Sequence, residues 1–201
     1  PSGVMTSLPS ILVALLNSLL ATVSQTAIAF FGIYFKLQSF IYMPANGLIQ
    51  GMLPLISYNY GARHFDRVKK IIKVSIISTA VILCCGTIIF MGLPELVLSW
   101  FNATEQLLEI GIIGLRVISP CFILSTMGVV ISGVFESLGK GRQSLTISLL
   151  RQFIITLPLA YILLKVIGLN GIWLSFVIAE GIASVIAVIL IKKELHNFKV
   201  D

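Results

Sequence analysis

Side chains able to do covalent or metal chemistry are few in this 201-residue chain, and their spacing suits none of the common reactions. Cys84 and Cys85 are adjacent, which an ordinary disulfide does not bridge, and Cys121 stands apart. No Cys-x-x-Cys or Cys/His spacing supplies zinc ligands, so no metal site is expected. His64 and His196 form no cluster. The phosphate-cradling Gly-x-x-x-x-Gly-Lys-Ser/Thr loop is missing, which argues against ATP hydrolysis by this chain. No paired-carboxylate or Ser/His/Asp set is visible. The expectation is a protein that is no enzyme and holds no cofactor. What stands out is polarity inside long apolar runs: Asn17, Ser18, Ser24 and Gln25, then Gln38, Asn46, Gln50, Ser57, Tyr58 and Asn59, then Arg151 and Gln152, and last Glu180.

The elements that hold these residues follow from composition. Hydrophobic residues make up 57% of the chain and charged ones 11%, with a mean hydropathy of +1.03. A soluble domain of this size needs far more charge on its surface, and disorder is excluded by the same figures. No acid or base occurs from Pro1 to Phe35, Leu37 to Ala62, Val74 to Pro94 or Val117 to Phe135. These runs predict an all-α integral membrane protein with six spans, roughly 8–32, 39–60, 71–93, 108–137, 144–166 and 171–191. The ~10-residue alternation of a β-barrel is lacking. The chain starts at Pro1 with no signal-peptide n-region and reads as a piece of a longer membrane protein.

Lys and Arg set the expected orientation. Arg63, Arg67, Lys69, Lys70 and Lys73, then Lys140, Arg142 and Arg151, then Lys192, Lys193 and Lys199 cluster at alternate junctions. Both ends of the segment are therefore expected on the cytoplasmic side, and the net charge of +6 is a topology signal rather than a nucleic-acid footprint. Pro94–Gln106 is the longest outer connection, where Trp100 and Phe101 suit a short interfacial helix.

Glu180 is the one deep carboxylate. Along a span of 171–191 it sits about 14 Å from the outer end, near the midplane, where an unpaired charge costs several kcal/mol. Two expectations stay open: a pair with Arg151 on the neighbouring helix, or titration in ion coupling. Glu136 is expected to pair with Lys140 at the i, i+4 spacing. Pro44, Gly47, Gly51 and Pro54 crowd the second span. Close backbone approach at Gly47-x-x-x-Gly51 is one reading, and a hinge for alternating access is the other.

The run from Pro44 to Arg63, PANGLIQGMLPLISYNYGAR, closely resembles the second helix of each half of MATE transporters, the multidrug and toxin extrusion family. Arg67–Lys70, Gly133–Lys140 and Gly168–Trp173 look like further family segments, so the resemblance covers nearly the whole chain. It implies one lobe of a two-lobed transporter: residues 1–201 as the C-terminal six-helix lobe, with the N-terminal lobe missing. It implies secondary efflux of small cationic and amphipathic drugs by proton or sodium antiport, in the cytoplasmic membrane of a bacterium. The implied partners are the N-terminal lobe, the lipid bilayer and the drugs, with no nucleic acid. The family's cation-binding carboxylates in the first and fourth helices fall at Asn17 and near Ser125, so the sodium-binding version is not resembled. Asn17, Gln25, Gln50 and Asn59 are the expected cavity residues, and Glu180 with Arg151 the expected ion-coupling group or buried pair. The rival readings are a flippase for lipid-linked oligosaccharides, which would need several cationic residues in its cavity, and a non-transporting membrane assembly subunit. One lobe alone is not expected to transport.

Overall fold

A computed structural model describes residues 2–22, 25–101, 104–150 and 154–197, with residues 2–9 described as helical backbone only. Nine helices appear among these residues: α1 (Ser2–Ala21), α2 (Gln25–Gly61), α3 (Phe65–Gly92), α4 (Pro94–Ser99), α5 (Glu105–Ile118), α6 (Pro120–Ser137), α7 (Gly141–Leu149), α8 (Thr156–Val166) and α9 (Leu169–Asn197). No strand occurs among them. Four helices are long and apolar enough to cross a membrane alone: α2, α3, α6 and α9.

The expected boundaries need correction in places. The first span, set at 8–32, ends at Ala21, and residues 25–32 open α2 instead. Lys36 is the first charge, so charge punctuation placed this boundary too late; the break carries no charge. The span expected at 39–60 is the second part of a helix of 37 residues. The helix expected at 108–137 is two. Ser119 ends α5, and Pro120 begins α6 at a position where its missing N–H costs no helical bond. Within the span expected at 144–166, α7 and α8 are described on either side of residues 151–153, which lie outside the described set. The third span begins earlier than 71, at Phe65, and α9 runs beyond 171–191 to Asn197, taking Lys192 and Lys193 into its last turns.

Helices α2, α6 and α9 run side by side in the same direction. Tyr42 meets Ser125, with the hydroxyls 2.5 Å apart, and Ser57 Oγ donates to the Ser137 carbonyl at 2.8 Å. Ser184 Oγ donates to the Leu124 carbonyl, and Lys140 meets Glu194. The end where Arg63, Lys140 and Lys192 gather is called the basic end below.

Two cores flank the middle of this trio. One, remote from the basic end, is built on Phe30, Phe31, Tyr34, Leu115, Phe122 and Trp173. Phe30 meets Trp173 edge to face at 5.0 Å and 79°, a geometry that adds about 1 kcal/mol beyond area burial. Gly111 and Gly114 of α5 make room for this ring, since a Cβ on Gly114 would lie 2.7 Å from it. The second core, toward the basic end, joins Ile49, Met52 and Ile56 to Val130, Val134, Phe135 and Ile191. The α8–α9 turn closes through Gly168 (φ 97°) and Gly171, where an added Cβ would lie 2.3 Å from the Leu163 carbonyl oxygen.

The Gly47-x-x-x-Gly51 pair does not mediate close packing within this chain. Both glycines are exposed, have nothing within 4 Å of an added Cβ, and border an open apolar groove between α2 and α3. Tight glycines include Gly86, Gly111, Gly114, Gly133 and Gly171. Gly171→Val is therefore expected to destabilise the full-length protein by about 3 kcal/mol or more, because the obstacle is backbone and cannot rotate away. Gly47→Ala is expected to cost nothing. Thermal unfolding in detergent measures both.

Candidate functional site

Between the three parallel helices and the α1 and α7 helices lies a cavity of about 590 Å³. The α2 helix supplies most of one wall. Gln38, Tyr42, Asn46 and Gln50 recur every four residues and all line it. At 100° per residue that spacing drifts only slowly, so the four form one stripe about 18 Å long. Phe31, Tyr34 and Phe35 of the same helix, with Phe176 of α9, make an aromatic floor. Phe31 and Phe176 have centroids 6.1 Å apart, and Tyr34 and Phe176 6.4 Å. The facing wall is α6, with Cys121, Ser132, Gly133 and Glu136, joined by Ser148 of α7. Ser132 is tied to Ser144 of α7 by a 2.8 Å hydroxyl contact, which fixes α7 beside the cavity.

Among the described lining residues two carry charge, and both are acids. Glu180 of α9 is 7% exposed, and Glu136 of α6 is exposed at the basic end. No Lys or Arg is among the described lining residues, although the chain as a whole is +6. Such a site can hold a cation with an apolar body: the carboxylates meet the charge, and the rings offer their faces to it and bury the rest.

The expected site residues divide. Gln50 and Glu180 line the cavity together. Asn17 does not; it is half-buried on α1 with its Oδ1 lacking a partner. Gln25 is exposed at the first turn of α2, about 20 Å along the helix from Gln38. Asn59 is buried and donates to the Leu55 carbonyl of its own helix at 2.8 Å. Arg151 falls outside the described residues. Pro44 and Pro54 lie within α2, which continues through both. Each proline leaves the carbonyl four residues earlier without its helical donor, at Phe40 and at Gln50. Gln38 and Asn46, which stand among the polar residues of the second span but outside the expected site, also line the cavity, as does Glu136, which the sequence places in a boundary pair. The four-residue spacing from Gln38 to Gln50 carried the signal: Asn59, nine residues after Gln50, faces the opposite side of a helix.

The expected Glu136–Lys140 pair is also corrected. The α6 helix ends at Ser137, and Gly139 turns to φ 77°, so Lys140 leaves the helical register. Its Nζ lies 2.6 Å from Glu194 Oε1 on α9 instead.

A sequence profile of the MatE family matches residues 1–162. The chain belongs to the MatE family. Among its relatives, the multidrug export protein MepA of Staphylococcus haemolyticus is 30% identical over 202 residues, covering all of this chain and 44% of the relative. MepA of Staphylococcus aureus (strain bovine RF122 / ET3-1) is 29% identical over 201 residues with the same coverage. The chain thus spans less than half the length of the curated relatives it matches. Among solved structures, an outward-facing multidrug resistance MATE transporter of the MOP superfamily superposes with a TM-score of 0.94 at 20% identity, over 100% of this chain and 46% of the other. A MOP superfamily transporter from Pyrococcus furiosus, described as having a binding pocket of reverse polarity, gives 0.93 at 22% identity, over 99% and 45%. The fold is that of MATE transporters, and the chain is a multi-pass membrane protein.

Removing one member of the Lys140–Glu194 pair strands a carboxylate that is only 9% exposed. A double-mutant cycle with Lys140→Met and Glu194→Gln, followed by thermal unfolding, is expected to return a coupling of about 1 kcal/mol; the partly exposed lysine keeps it modest.

Proposed function

We propose that these residues are the C-terminal lobe of a multidrug efflux transporter. In this reading the lobe works with a preceding lobe of the same chain in a bacterial cytoplasmic membrane, with both ends of the segment cytoplasmic. The two lobes alternate between outward-open and inward-open states and exchange cationic amphipathic compounds for protons or sodium ions. The observation that carries the reading is the described lining of the cavity: Glu136 and Glu180 beside aromatic rings, with no Lys or Arg among the described residues. Relatives described as multidrug export proteins support it.

Glu180 is the group we assign to ion coupling. It is buried at the deep part of the cavity, where binding a proton or metal cation changes the local charge most strongly. A flippase for pyrophosphate-linked lipids would need cationic side chains here, and the described lining has none. A scaffold subunit would turn its polar residues into helix contacts; Gln38, Asn46 and Gln50 instead border open volume.

The full-length transporter in proteoliposomes is expected to export ethidium against an imposed proton or sodium gradient. Absence of gradient-dependent export overturns the proposal. Glu180→Gln is expected to cut that export about tenfold or more, and normal export by this variant removes Glu180 from the coupling step.

A further inference from the structure

The two cavity carboxylates lie at opposite ends of one polar stripe. Leu124 of α6 is abreast of Ser184 of α9, and the two helices run in the same direction. In that register Glu136 sits about 24 Å nearer the basic end than Glu180. Tyr42 stands abreast of Ser125, and Gly133 packs against Ile49, so the stripe from Gln38 to Gln50 fills the interval between the two acids. Asn46 and Gln50 are exposed on it, with hydroxyls of Ser132 and Ser148 among the other lining groups.

Glu136 lines the basic end of the cavity. Its nearest basic residue in sequence, Lys140, is committed to Glu194, and Glu136 has no ion-pair partner among the described residues. The same end of the molecule carries Arg63, Arg67, Lys70, Lys192 and Lys193, a surrounding that repels cations. An acid at the mouth reverses the local sign where a cation has to pass.

We propose that Glu136 is the residue that selects for cations at the basic-end mouth, and that the α2 stripe is a hydrated path for cations from there to Glu180. The amides offer carbonyl oxygens to a cation and N–H groups to water, and no step of the path requires a fixed charge. The inference deepens the efflux reading and rests on it for its purpose, but the path can be tested without transport.

The test uses the full-length protein with Cys84, Cys85 and Cys121 replaced by Ala and with Asn46→Cys or Gln50→Cys introduced. Two thiol reagents of similar size are compared, a methanethiosulfonate bearing trimethylammonium and one bearing sulfonate. The cationic reagent is expected to react about tenfold faster once intrinsic reactivities are divided out. Glu136→Gln should lower that preference about fivefold, Glu136→Lys should invert it, and Glu136→Asp should retain it. In transport, Glu136→Gln should raise the KM for ethidium about fivefold with kcat within twofold, whereas a merely structural role would lower kcat and folded yield together. A reagent preference unmoved by Glu136→Gln and Glu136→Lys overturns the inference. Preserved charge selectivity in a protein that exports no dye supports the path and strikes the efflux reading instead.

Discussion

Hydrocarbon offers no hydrogen-bond partners, and α2 carries a row of amides through it. Everything else in the lobe accommodates that constraint. One face of α2 is apolar and buried, with Phe30, Phe31, Leu37, Ala45, Ile49 and Ile56 joining the two cores. Another face holds Gln38, Asn46 and Gln50, which cannot enter either core unpaired and are not stable against lipid. A cavity between helices resolves the conflict. The cores at both ends hold α2, α6 and α9 together, and the open volume lies along the polar stripe between them.

The breaks in the other helices serve the same arrangement. Ser119 caps α5 while Thr87 of α3 donates to its carbonyl at 3.2 Å, so the chain can change direction inside the bundle without a stranded carbonyl. Pro120 then opens α6 toward the cavity, and Cys121, Ser132, Gly133 and Glu136 follow on its facing side. Small side chains set how closely the walls approach. Gly133 admits Ile49 of α2, and Gly114 admits Phe30. Glycine is used here for close packing of rings and branched side chains, while Gly47 and Gly51 keep a groove open.

Much of this was legible before any coordinates. Charge-free runs located the membrane segments, because ionised groups are costly in lipid. They do not mark the α1–α2 break, where no charge falls at the boundary, or the division of 108–137 at Ser119–Pro120, where local bonds decide. The polar stripe was legible in principle from its spacing. The choice of Asn17, Gln25 and Asn59 beside Gln50 weighed residue type over helical phase. The i, i+4 spacing of Glu136 and Lys140 predicts a pair only on a helix that continues. The left-handed turn at Gly139 ends it and sends Lys140 across to Glu194.

Composition and motif by themselves determined that the chain is a helical membrane protein, related to MATE transporters, with a deep acid at Glu180. Those features are local or additive: hydropathy sums along the chain, and a motif is contiguous. Tertiary structure decided which of the described polar and acidic groups share a cavity. Glu136 and Glu180 are 44 positions apart on different helices, and the parallel packing of α6 and α9 against α2 puts them on the lining of one cavity. The physical reason is that sequence spacing reports the phase of a residue on its own helix, while only the packing of several helices fixes which phases face one another.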